Sequence, residues 1–114
     1  MPVEHLLTRL GVIAVMTQDR DLLIPPEVEA DSKAVEVIRA WVANEQLICA
    51  LRPTTWQSKP AAWGLVLADV ARHVANALQE VSGEEKSILL AAIRHSFNIE
   101  LDSPTDEPTG DFAV

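Results

Sequence analysis

The chain has 114 residues and a formal net charge of −8, from nine Lys and Arg against seventeen Asp and Glu. That length excludes a multidomain enzyme or a full barrel, and it buries only about two-thirds of the surface its unfolded chain exposes. At 48% hydrophobic residues a packed core is attainable, while the acidic surface points away from nucleic acid and from anionic membranes.

The charge is uneven. Glu100, Asp102, Asp106, Glu107 and Asp111 follow Asn98 with no Lys or Arg after them, which leaves −3 for residues 1–98. Cys49 is the only cysteine, so no internal disulfide and no thiolate zinc cluster can form within one chain. Reducing cytoplasm is the natural setting. Leu47, Ile48, Ala50 and Leu51 around Cys49 suit a small buried apolar residue better than a reactive thiol.

The first residues read differently from the rest. Leu6, Leu7, Leu10, Ile13 and Ala14 keep a helical spacing, whereas Val12, Ile13 and Val15 favour a strand. Leu10 to Met16 is too short to span a bilayer, and Glu4 together with Thr17-Gln18-Asp19 is a poor signal-peptide context. Residues 1–21 are therefore expected to be an extension, with Met16 a plausible second start.

Ile24-Pro25-Pro26 is an extended lead-in, because the two prolines hold the chain near polyproline II. Asp31 or Ser32 can then cap a helix over 32–44, with Ala34, Val35, Ile38, Trp41 and Val42 on one stripe and Asn44 as terminator. Residues 46–52 are the clearest strand. Leu47, Cys49 and Leu51 point one way, and Ile48, Ala50 and Arg52 the other, until Pro53 stops it. A lone strand leaves its backbone groups unpaired. Either Val12–Met16 pairs with it or a second copy of the chain does, and the second-copy reading makes the protein a homodimer.

After a loop carrying Trp56, Pro60 suits the first turn of a helix over 60–81. Its stripe is Trp63, Leu67, Val70, Ala71, Val74, Ala77, Leu78 and Val81. Ser82 and Glu85 have the spacing of a capping box, which predicts a last helix over 84–98 with Ile88, Leu89, Ala92, Ile93 and Phe97 inward. Residues 103–114 are rich in Ser, Pro, Thr, Asp and Glu, a composition that predicts a mobile acidic tail. The expected architecture is α+β, with residues 22–102 as the single globular domain.

No phosphate-binding glycine loop, nucleophile elbow or helical zinc spacing is present, and there is no Tyr. Asp69, Arg72, His73 and Asn76 share one face of the 60–81 helix. At i and i+4, Asp69 can orient the His73 imidazole, while Arg72 and Asn76 can hold an anion or an amide. The same pattern also describes an ordinary solvated helix face. Trp56 and Trp63 can wall a small pocket or simply anchor the loop, and Arg52 lies close to them in sequence. His5 and His95 have no ligand at metal spacing. No catalytic residue, metal or cofactor follows from these patterns.

The words Ile24-Pro25-Pro26-Glu27-Val28, Arg39-Ala40-Trp41, Leu51-Arg52-Pro53 with Trp56, Pro60-Ala61-Ala62-Trp63-Gly64, and Asp69 with Arg72-His73-Val74-Ala75 resemble a small bacterial family known only as a domain of unknown function. The resemblance covers roughly 22–102 and implies a stand-alone bacterial cytoplasmic protein, with no activity or cofactor attached. Two functions remain open. One is a non-catalytic binding or protein-interaction domain acting as a homodimer. The other is a small ligand-binding domain or minor enzyme using Asp69, Arg72 and His73 near Trp56 and Trp63.

Overall fold

Residues 35–51 carry several β-branched side chains, Val35, Val37, Ile38, Val42 and Ile48, with a polar pair at Asn44 and Glu45 between them. Such side chains favour extended backbone. In the computed structural model of the protein, which describes residues 20–113, they build a hairpin. Strand β1 (Ile38–Ala43) pairs antiparallel with β2 (Gln46–Leu51) from Ile38 opposite Leu51 to Ala43 opposite Gln46. The predicted extension over 1–21 and the second start at Met16 lie outside the described residues, except for Arg20 and Asp21.

The hairpin corrects the helix expected over 32–44. Ile38, Trp41 and Val42 do fall at helical spacing, but Ile38, Ala40 and Val42 equally satisfy the alternation of a strand. Over six residues, the open edge of β2 decides between them. Asp31 does not cap a helix. Its Oδ1 accepts the Lys33 N–H at 2.9 Å, closing an Asx turn. A four-residue helix, α1 (Pro26–Glu29), precedes that turn. Asn44 and Glu45 both adopt positive φ, 49° and 60°. This is the geometry of the two-residue turns whose twist matches a right-twisted hairpin.

Strand β3 (Thr109–Phe112) lies parallel to β2 on its other side, giving the order β1-β2-β3. The Thr109 hydroxyl donates to the Leu47 carbonyl at 3.1 Å, and the Ala113 N–H donates to Leu51 at 2.9 Å. Two expectations change here. Part of the tail expected to be mobile over 103–114 is an ordered strand, because the free edge of β2 supplies backbone partners that composition does not reveal. The strand expected at 46–52 also cannot pair with its own copy, since both of its edges are occupied within the chain.

Gly110 makes the β2–β3 approach possible. Its φ is 139°, and a Cβ there would fall on the carbonyl oxygen of Cys49. Only glycine meets both demands.

Alternation gives the hairpin two different faces. Ile38, Ala40, Val42, Leu47, Cys49 and Leu51 are all apolar and share one. Arg39, Trp41, Ala43, Gln46, Ile48 and Ala50 share the other.

The second half of the chain is helical. A 3-10 turn (Pro53–Trp56) leads to α2 (Pro60–Ser82) and α3 (Lys86–Asp102), close to the expected spans 60–81 and 84–98. Pro60 occupies the first turn of α2, and Gly83 at φ 76° ends it in the left-handed conformation. The capping box does not form. Ser82 is still helical, its hydroxyl donating to the Leu78 carbonyl at 2.8 Å, and Glu85 holds the N-cap position of α3. By their contacts the residues form two compact units within the region expected to be the globular domain, 22–102, and the strand that follows it. One holds the hairpin with β3, and the other is Trp56–Glu107. Among the described residues the α+β class stands, and Ala75 on α2 is the only fully buried side chain.

Two substitutions test the backbone argument. Gly110→Ala should cost about 1–3 kcal/mol and detach β3, seen as a lower urea midpoint and faster amide exchange along β2. Glu45→Gly should raise stability by about 0.5–1 kcal/mol, because the strain of a left-handed non-glycine residue exceeds the entropy glycine adds. Thermal unfolding reads the second change.

Candidate functional site

The residues singled out by sequence fall in different places. Trp56 and Trp63 do meet, with ring centroids 5.2 Å apart and planes at 88°. An edge-to-face pair at that distance fills its own space, so the two indoles close the start of the helical unit. Both are half-buried.

His73 lies ten residues beyond Trp63 on α2, about 15 Å along the axis at 1.5 Å per residue. Asp69, Arg72, His73 and Asn76 are exposed. No hydrogen bond or ion pair joins any of them among the described residues. The helix thus sets this polar row apart from the indole pair.

Arg52 belongs to the sheet unit, and there it lines a hollow that the sequence pattern did not reveal. The concavity holds about 370 Å³ and is bordered by Glu36, Arg39, Trp41, Ala50, Arg52 and Asp111, with Phe112 at its end. Its floor follows from the register. Arg39, Ala50 and Asp111 form one rung across the three strands, with the small alanine in the middle and opposite charges on either side.

Glu36 organises the cationic side. Its Oε2 accepts from Arg39 Nε at 2.6 Å, and its main-chain carbonyl accepts from Arg52 Nε at 3.4 Å. Both ends of the Glu36–Arg39 pair are about half exposed, so the pair adds well under about 1 kcal/mol of stability. Its effect is to orient the guanidinium, which also stacks 5.6 Å from the centre of the Trp41 ring.

Among the described residues, the terminal nitrogens of Arg52 and the carboxylate of Asp111 have no protein partner. A guanidinium fork takes a carboxylate, a lone carboxylate takes an ammonium, and the indole supplies a flat apolar wall. Sequence reasoning named Arg52 but missed Arg39, Trp41 and Asp111. Placing 32–44 on a helix put Arg39 and Trp41 on opposite faces, and reading 103–114 as mobile removed Asp111 from the fold.

Among the described residues, no cluster of three or more His, Cys, Asp or Glu could hold a metal ion, and no helix is long and apolar enough to cross a membrane.

The fold and this hollow define a small α+β domain with a three-stranded sheet and a helical hairpin. A family model described as Domain of unknown function (DUF5076) matches residues 21–105, and the chain belongs to that family. A solved protein from the photosynthetic bacterium Rhodopseudomonas palustrus CGA009, described provisionally as a pyruvate dehydrogenase, is 36% identical to it. The similarity covers 82% of this chain and 95% of that one, with a TM-score of 0.65. A search of functionally curated proteins returns no match.

Proposed function

We propose that the chain is a small, non-catalytic protein-interaction domain of the bacterial cytoplasm that works as a homodimer. The observation that carries this reading is the apolar surface one copy leaves open. Leu67, Val70, Val74 and Leu78 recur at spacings of three and four along α2, yet each is 39–49% exposed, and Val81 is 85% exposed. On the apolar face of the sheet Val42 is 59% exposed. Isolated apolar residues on a surface are ordinary, but a continuous stripe of them marks a contact site. Burying it is worth roughly 25 cal/mol per Å².

The test is native mass spectrometry on the full chain, with sedimentation to measure association. A dimer is expected. In a monomer, Val74→Glu on an open surface should change stability by less than about 0.5 kcal/mol. In the proposed module it should weaken association with a protein partner at least about tenfold, or about 1.4 kcal/mol. A monomeric chain whose associations ignore Val74→Glu would sink the reading.

The concavity at Arg52 and Asp111 favours a second reading, binding of a small zwitterion such as a free amino acid. The Asp69, Arg72 and His73 face lacks comparable support. A panel of amino acids should raise the melting midpoint of the unmodified chain, and Arg52→Met should abolish that shift. No shift with any amino acid would remove this reading.

A further inference from the structure

We infer that the homodimer forms by antiparallel addition of β1 to β1 of a second copy, centred on Ala40. This rests on the homodimer reading above and names the surface that makes it.

Among the described residues the sheet has two outer edges, and they differ. The β3 edge is four residues long, follows Pro108 and contains Gly110 in a conformation foreign to regular strands. Such edges resist further pairing. The β1 edge is six residues long with no proline, glycine or lysine. Its one charge, Arg39, is held by Glu36 of the same chain.

Hydrogen bonding fixes which groups face out. The Arg52 N–H donates to the Val37 carbonyl at 3.0 Å. Antiparallel ladders alternate, so Val37, Arg39, Trp41 and Ala43 bond inward to β2, while Ile38, Ala40 and Val42 present their N–H and C=O groups at the outer edge, which no other described strand occupies. A two-fold partner must set these three residues against the same three of its copy.

Centring on Ala40 does this over the whole strand. Ile38 then faces the partner's Val42, and Ala40 faces its own copy at the axis. These residues lie on the apolar face, which continues unbroken into the second sheet. On the other face Arg39 comes opposite the partner's Trp41, a cation against an aromatic ring, twice by symmetry. Centring on Arg39 would instead oppose two guanidiniums. Centring on Trp41 would shorten the overlap and run Ile38 into the turn residue Asn44. The edge is self-complementary in one register, which is what an isologous contact requires. The same pairing brings the two Arg39–Trp41 rims together across the axis.

The test is disulfide trapping in the full chain. Cys49 lies opposite Ala40 in its own hairpin, so Ala40→Cys is made together with Cys49→Ser. Residues paired across such a ladder have the Cα spacing a disulfide needs. Mild oxidation should give a reducible covalent dimer several-fold faster than Glu84→Cys in the same background, a control in the exposed α2–α3 connection. In parallel, Ala40→Pro removes an N–H that faces away from β2. It should convert the dimer to monomer in native mass spectra while the far-UV circular dichroism is retained.

A native dimer in which Ala40→Cys crosslinks no faster than the control, or which survives Ala40→Pro, overturns this edge and leaves the homodimer standing. A monomeric parent chain overturns both. If Ala40→Pro unfolds, the crosslinking rate decides alone.

Discussion

Everything in the sheet unit depends on β2 being paired along both edges. A strand buried on neither side by neighbours would carry two rows of unsatisfied donors and acceptors. The chain satisfies one row with its immediate predecessor, through a two-residue turn at Asn44 and Glu45. It satisfies the other with a segment almost sixty residues later, admitted only because Gly110 has no side chain. The hollow beside Arg52 is a consequence. It exists because Ala50 on the central strand is flanked by Arg39 and Asp111, which stand on different neighbours.

The helical unit is organised by its ends. Pro60 starts α2, Gly83 stops it, and the edge-to-face contact of Trp56 and Trp63 ties the entering chain to the first turn. Between them lies an apolar stripe that remains open in a single copy. With only Ala75 fully buried among the described residues, packing within the chain uses little of the apolar surface that its composition provides. Such surplus surface is what the proposed homodimer and protein contacts would draw on. An acidic exterior suits this too, since like charge keeps copies apart except where apolar surfaces and strand edges meet.

The sequence by itself determined the α+β class, the bounds of the two long helices to within a few residues, and the alternating strand at 46–51. These are local matters. Pro60, Gly83 and the period of the apolar residues are legible within one or two turns of chain, and the resemblance to a domain of unknown function agrees with the family model that matches residues 21–105. Tertiary structure alone decided the state of 38–43 and of 109–112. Over six residues the 3.6 and 2.0 periods overlap at Ile38, Ala40 and Val42, and only a neighbouring strand distinguishes them. A four-residue segment such as Thr109–Phe112 has no preference of its own until a strand edge supplies partners. The candidate site moved for the same reason. Arg52 was visible, but Arg39 and Asp111 are brought to it by register across three strands, and register is a non-local quantity that no window of sequence contains.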